Sequence, residues 1–227
     1  MREQKKYIPA LKFDWLTRFY DPVLKILMPE QEFKKSLIHS MRIQTGDRVL
    51  DFGCGSLTLS ILAARHYPKA EYFGVDVDEK ILAIAREKMT ATNQHIFIQQ
   101  YNGNRLPYPD NFFNKAMSSL VFHHLTLRQK YFALEEIYRT LKPGGDLFIA
   151  DFGRPSNVLQ RIVFYGVQLL DGFETTKDSV SNALPAAMKQ TEFLNVEESR
   201  SFNTLVGTVR ITKGTKQKAV ELSKAIL

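Results

Sequence analysis

The stretch from Arg48 to Thr58, RVLDFGCGSLT, constrains this chain more than any other. Val49 and Leu50 lead into an acid, Asp51, and glycines follow at 53 and 55. An apolar-periodic segment, Leu59, Ile61, Leu62 and Ala63, begins directly afterwards. The run predicts a strand, a tight glycine turn and a helix N-terminus, the opening of a βαβ unit that accepts a nucleotide-like ligand. Glycine tolerates positive φ and lets the backbone approach a ligand with no Cβ in the way. The acid narrows the choice of ligand. A dinucleotide would lay its pyrophosphate over this turn, where Asp51 repels it. A ligand carrying an ammonium and a sulfonium is attracted instead.

A second apolar run, Glu71 to Val77 (EYFGVDV), ends in Asp76, 25 residues after Asp51. An acid at the end of the second strand, ~20 residues beyond the glycine turn, is where such folds bind a ribose diol. Asp78 and Glu79 open the helix DEKILAIAREKM. Asp78 suits the N-cap, which leaves Asp76 for the ribose. One acid for an ammonium and one for a ribose fit S-adenosylmethionine.

Four segments then follow one another in order: VLDFGCG, FGVDVD, LPYPDNFFNKAMSSLVFHHL and LKPGGDLFIADFGRP. As a set they resemble the ordered motifs of class I S-adenosylmethionine-dependent methyltransferases. The resemblance is nearest in flavour to the group that includes the C-methyltransferases of quinone biosynthesis, and it runs from Arg42 to Lys213. It implies an α/β fold: a doubly wound, Rossmann-like, mostly parallel sheet with one antiparallel strand near an edge and a helical cap. It also implies methyl transfer from S-adenosyl-L-methionine. Carried onto this sequence, Asp51 would orient the methionine ammonium, and the backbone at Gly53 and Gly55, with Cys54 between them in the cofactor-binding turn, would cradle the methionyl part. Asp76 with Val77 would hold the ribose, Asn102 and Gly103 would meet the adenine, and Ser119 with Leu120 would flank the methyl. The family commonly has an acid where this chain has Asn102, but an asparagine carbonyl still accepts from the adenine amine.

One departure keeps alternatives open. The family's third glycine is Leu57 here, a side chain that either narrows the cleft or leans into the sheet. One alternative is a methyltransferase-like protein that binds a nucleoside ligand or a partner without catalysis. The other is a nicotinamide-dependent dehydrogenase, disfavoured by Asp51 and by Thr58 where a third glycine or alanine would fall.

Composition sets the outer limits. With 227 residues and 44% apolar content the chain can bury one good core and still supply a cap. No apolar run reaches the ~18–20 residues of a membrane span, and MREQKKYIPA lacks the apolar centre of a secretory signal. The lone cysteine, Cys54, fits a reducing compartment and a packing role in the turn, so the expectation is a cytoplasmic protein. The net charge is +7, with basic residues gathered at the ends: Arg2, Lys5, Lys6, Lys12, then Lys213, Lys216, Lys218, Lys224. Scattered surface lysines explain this without an anionic partner, although contact with a membrane surface stays open. The absence of zinc spacing and of an RNA-binding signature argues against metal and nucleic acid.

Along the chain, Leu11 to Met41 is patterned as helices, with Asp21-Pro22 and Pro29-Glu30 as starts. His95 to Tyr101 reads as a third strand, LPYPDN as a loop, and NKAMSSL as a fourth strand ending at Ser119. VFHHL follows at the carboxyl edge, making His123 and His124 candidates for a general base or for holding an acceptor hydroxyl. Leu127 to Leu141 is an amphipathic helix stopped by LKPGG, DLFIADF is a fifth strand, and Asn157 to Phe173 is a strongly apolar helix. VEESRSFNTL and VGTVRITK read as a closing hairpin. The expected division within a single domain is an N-terminal helical cap (1–41), a cofactor-binding core (42–152), a cap insertion (153–190), the hairpin (191–213) and a tail (214–227). Phe13 to Tyr20 and Val158 to Phe173 are apolar and aromatic, with Arg18, Arg154 and Arg161 nearby. Such walls suit a small apolar or aromatic acceptor, anchored through a carboxylate or phenolate, better than an anionic polymer.

Overall fold

The computed structural model describes residues 30–153, 183–204 and 207–218. The helices expected before Glu30, the apolar helix expected over Asn157 to Phe173 and the end of the tail lie outside the described residues. The chain runs α1 (Glu30–Met41), β1 (Arg48–Phe52), α2 (Thr58–His66), β2 (Glu71–Asp76), α3 (Glu79–Ala91), β3 (Phe97–Gln100) and β4 (Phe113–Ser119). A 3-10 turn (Phe122–His124) leads to α4 (Leu127–Thr140), β5 (Leu141–Gly153), α5 (Ala183–Gln190), β6 (Leu194–Thr204) and β7 (Gly207–Thr215). Among the described residues, no helix is long and apolar enough to cross a membrane.

The seven strands form one sheet in the order β3-β2-β1-β4-β5-β7-β6. β1 pairs in parallel with both β2 and β4, and β7 is antiparallel to both β5 and β6. The fold is therefore the doubly wound, mostly parallel sheet expected, with its reversed strand next to the edge. Parallel strands need crossover connections, so both faces of the sheet are covered. The apolar runs are correspondingly continuous, and alternate residues feed opposite cores. Val49, Met117 and Phe148 pack under α1 and α2 with Phe33 and Leu37, whereas Leu50, Ala116, Leu147 and Ile149 pack under α4 with Leu134 and Ile137.

Local signals account for the ends of the elements. Asp78 caps α3 by accepting from the Lys80 amide at 2.9 Å. Thr126 and Gln129 form a capping box at the start of α4. The helix stop at LKPGG differs from expectation in extent. α4 ends at Thr140 as the stop requires, and Leu141 is already extended, so β5 begins there rather than at Asp146. Pro143 cannot continue a helix, and the register between β4 and β5 slips between Phe113 and Lys115 to accommodate the insertion. Edge strand β6 is largely exposed and carries Glu197, Glu198 and Arg200, charges that suit an unpaired strand edge.

Leu50 is fully buried on β1. Leu50→Ala should lower the unfolding free energy by ~2–5 kcal/mol in urea titration, as deletion of a buried leucine does. A loss under about 1 kcal/mol would mean that this core closes around the gap.

Candidate functional site

The strand order reverses between β1 and β4, and the carboxyl ends of β1, β2, β4 and β5 lie along one edge. Open α/β sheets bind ligands in this crevice. The Gly53 and Cys54 amides both donate to the Val75 carbonyl, at 2.9 and 3.0 Å, which folds the turn over β2. Gly53 has φ +70°, and a Cβ there would stand 2.5 Å from Val121 Cγ2. Only glycine fits. Gly55, at φ +50°, has nothing within 4 Å of where its Cβ would be, so its backbone faces open space.

Asp76 is more engaged than its sequence position implies. Asp78 does take the helix cap, yet Asp76 Oδ2 accepts from the Gly55 amide at 2.8 Å and its Oδ1 from the Asp78 amide at 3.1 Å. The carboxylate thus braces the glycine turn against α3. Each oxygen has a second lone pair, so a diol can still be received. Val77, next in sequence, is partly exposed at the same edge, and Gln100 Nε2 donates to its carbonyl at 3.0 Å.

Asp51 lies deeper, only 2% exposed, with Ser60 Oγ donating to its Oδ2 at 2.6 Å. Burial pushes its pKa up to about 6, with Asp76 adding to the rise, while Ser60 and the Lys34 ammonium act against it. Cys54 is buried beside it. Desolvation first, then the charges of Asp51 and Asp76, pushes its thiol far above the ordinary range, which makes it a packing residue. Leu57 stands at φ +62° and is fully buried. A Cβ on Gly74 would meet Leu57 Cδ2 and Cys54 Sγ, each at 2.9 Å, so the leucine leans into the sheet and leaves the cleft clear.

Asn102 and Gly103 follow the short edge strand β3 and are exposed. Asn102 Oδ1 accepts from the Asn104 amide at 3.1 Å, so the carbonyl assigned to adenine also closes a turn. Gly103 has φ +80° and open space around it. On the other side, Leu120 holds φ +59° after β4 and donates its amide to the Ala150 carbonyl at 2.9 Å. Ser119 Oγ is buried and, among the described residues, has no hydrogen-bond partner. Leaving such a hydroxyl unpaired costs about 1–3 kcal/mol, so a polar atom of a ligand is its natural complement.

The two histidines separate in character. His123 Nδ1 lies 2.7 Å from Asp151 Oδ1, while the His124 ring lies tilted against it with ring centroids 3.8 Å apart. Burial, then the neighbouring His123 charge, lowers the His124 pKa to about 4, with Asp151 opposing, so His124 is neutral near pH 7. Asp151 is the residue that sequence reasoning left without a role. The signal was present: β4 and β5 are neighbours and Ser119 pairs with Ala150, so an acid one residue further on must reach the histidine segment.

The comparisons with known proteins agree with this layout. Residues 49–145 match a family model described as "Methyltransferase domain". The demethylmenaquinone methyltransferase of Listeria monocytogenes is 31% identical over 160 residues, 69% of this chain and 67% of that protein. The protein of the same name from Symbiobacterium thermophilum is 29% identical over 168 residues, 72% of this chain and 66% of that protein. The chain thus spans about two-thirds of the length of either relative. Among solved structures, YcgJ of Bacillus subtilis superposes with a TM-score of 0.70 at 18% identity, over 83% of this chain and 100% of that one, a likeness of fold.

Asp51 carries a pH signature. An acid whose folded pKa lies above its unfolded value stabilises the fold while protonated, and that contribution is lost as pH rises from about 3.8 towards about 6. Asp51→Asn keeps an acceptor for Ser60 without the buried charge. In denaturant titration it should therefore be more stable than the parent at pH 7, by roughly 2–3 kcal/mol, and equal to it below pH 4. Equal stability at both pH values would show that the buried carboxylate is not strained.

Proposed function

Because the chain belongs to the class I S-adenosylmethionine-dependent methyltransferases, related to those of quinone biosynthesis, we propose that it moves the methyl group to a small, apolar or aromatic acceptor. The observation that carries the cofactor assignment is the edge itself. Open backbone at Gly55, the Asp76 carboxylate and the Ser119 hydroxyl, which has no partner among the described residues, stand at the ends of three neighbouring strands. These residues fit the cofactor: Asp76 and Val77 for the ribose, Asn102 and Gly103 for the adenine. Gly53, Cys54 and Gly55 serve the methionyl backbone, Asp51 the ammonium, and Ser119 and Leu120 the vicinity of the methyl. When bound, S-adenosylmethionine supplies an activated methyl on a sulfonium that is already an excellent leaving group. The chain's own residues then have to align the acceptor and exclude water, which can recover ~7–11 kcal/mol of the barrier.

The acceptor reading rests on the apolar and aromatic sequence of 13–20 and 158–173, with Arg18, Arg154 and Arg161 as candidate anchors. The relatives' names point the same way, towards a quinone precursor. Residues 1–41 and 153–190 are assigned to a substrate cap and 42–152 to cofactor binding. The lone cysteine suits a cytoplasmic enzyme.

Calorimetry with S-adenosylhomocysteine tests the cofactor half. Asp76→Ala should weaken binding roughly tenfold or more, combining loss of the diol contact with a loosened turn. Unchanged affinity removes Asp76 from the site. Asp51→Asn should weaken it too, and by less for analogues lacking the amino group. For the acceptor half, deletion of residues 1–28 should abolish turnover of small hydrophobic phenols or quinols while cofactor binding persists. Methylation of RNA or protein fractions, with none of these small molecules, overturns the acceptor reading.

A further inference from the structure

A cavity of about 360 Å³, within the size range of small-molecule sites, is walled by residues of α1, the end of α2 and β6. None of its residues belongs to the cofactor assignment. α2 leaves the glycine turn at Thr58 and ends at His66, so its last turn lies roughly 12 Å along the helix from that turn. Arg200 and Phe202 stand two apart on β6 and so share one face of the strand. The Phe202 ring rests against Phe33 of α1, with centroids 6.3 Å apart, and Arg200 Nη1 donates to Ser36 Oγ of α1 at 3.2 Å. The two contacts tie an otherwise exposed edge strand to the helix. They also place an apolar patch, Phe202 with Ile38, beside a charged wall.

That wall is basic. Lys35 and His39 of α1, His66 of α2 and Arg200 of β6 all line the cavity, and Glu32 is the acid among its lining residues. Among the described residues, no carboxylate lies within ion-pair distance of these four basic side chains, whereas Arg210 on the neighbouring strand is bound to Glu198 at 2.7 Å. Gathering like charges around one concavity is repulsive until a counter-charge enters it. Arg200 spends one N–H on Ser36, and the rest of its planar fork matches the oxygens of a carboxylate or phosphate. His66 Nδ1 lies 2.9 Å from the Leu62 carbonyl, which can only accept, so Nδ1 carries a proton and the protonated ring also offers Nε2–H. The donors come from three separate elements, and the apolar patch lies beside them.

We propose that this cavity binds a small organic oxyanion, a carboxylate or phosphate carried on a compact apolar or aromatic body, at a site separate from those of cofactor and acceptor. The oxyanion lies against the Arg200 guanidinium and the Lys35 ammonium, with the two imidazoles beside it, and the body covers Phe202 and Ile38. Each half contributes something the other lacks. The charged wall alone would take any anion from solution, and the apolar patch alone would take any greasy solute. Together they select a molecule that has both ends. The inference goes beyond the methyl-transfer reading and stands without it.

Calorimetry of the full chain with phenyl phosphate and with benzoate tests this. Both should bind saturably, and saturating S-adenosylhomocysteine should leave their affinities little changed. Inorganic phosphate, which lacks the body, and benzyl alcohol, which lacks the charge, should each bind ~10-fold or more weaker than phenyl phosphate. Arg200→Ala and Lys35→Ala should each weaken phenyl phosphate ~10-fold or more, the scale of a lost charge-assisted hydrogen bond. Both side chains are exposed, so Tm should hardly move in either variant. Proton NMR should show the ring signals of His39 and His66 shifting along the same titration. Failure of both aryl anions to saturate, unchanged affinity in both variants, or displacement of the probe by S-adenosylhomocysteine overturns the proposal. So does inorganic phosphate binding as tightly as phenyl phosphate, which would mark an adventitious ion only. If S-adenosylhomocysteine itself fails to bind, the methyl-transfer reading falls, while the aryl-anion titrations still decide this one.

Discussion

Parallel pairing of β1 on both sides, with β2 and with β4, is the constraint on which the other features depend. Each parallel neighbour must be reached by a crossover, so helices cover both faces and the strands become apolar along their whole length. The same arrangement points the strands from β1 to β5 in one direction. Their carboxyl ends, and whatever polar residues stand there, share one edge. Because the order of strands reverses at β1 and β4, the connections leave on opposite sides and a crevice opens between them. The hydrogen bond from Gly55 to Asp76 and the close approach of Gly53 to Val121 stitch the two sides of that crevice together.

This edge is not arranged for stability. A carboxylate with its pKa raised to about 6 by burial, a hydroxyl without a partner among the described residues and two non-glycine residues, Leu57 and Leu120, at positive φ all lie within it. Each costs free energy in the folded protein. A cationic amino acid with polar oxygens removes part of that cost on binding, which is a physical reason for such a site to prefer an occupant of that kind. The two cores beneath, built of packed aromatic and aliphatic side chains, supply the stability that offsets it.

Much of the fold was legible because its signals are local. The glycine turn, the Asp78 cap and the apolar strand runs each follow from a few consecutive residues. Reading failed where the decisive partner is distant in sequence. The LKPGG segment does stop the helix at Thr140, but pairing of Leu141 with β4 and a shift of register also carry it into the sheet, which the composition did not show. Asp76 looked free once Asp78 had taken the cap, but one of the two amides it holds belongs to Gly55, 21 residues earlier. Asp151 had no visible role because its histidine is 28 residues away, across a strand pair. Leu57 could not be placed from the turn alone, since the space it occupies is created by the missing side chain at Gly74.

That last relation has a consequence for how sequences of this kind can drift. Leucine at 57 and glycine at 74 occupy one volume between them, one residue supplying the bulk and the other the vacancy. A glycine at 57 alone leaves a hole beneath the glycine turn, and a larger residue at 74 alone collides with the leucine. A lineage can exchange the two positions only as a pair, or by way of an intermediate that is worse than either end. The departure at 57 is therefore half of a two-position solution, and its other half lies on the next strand.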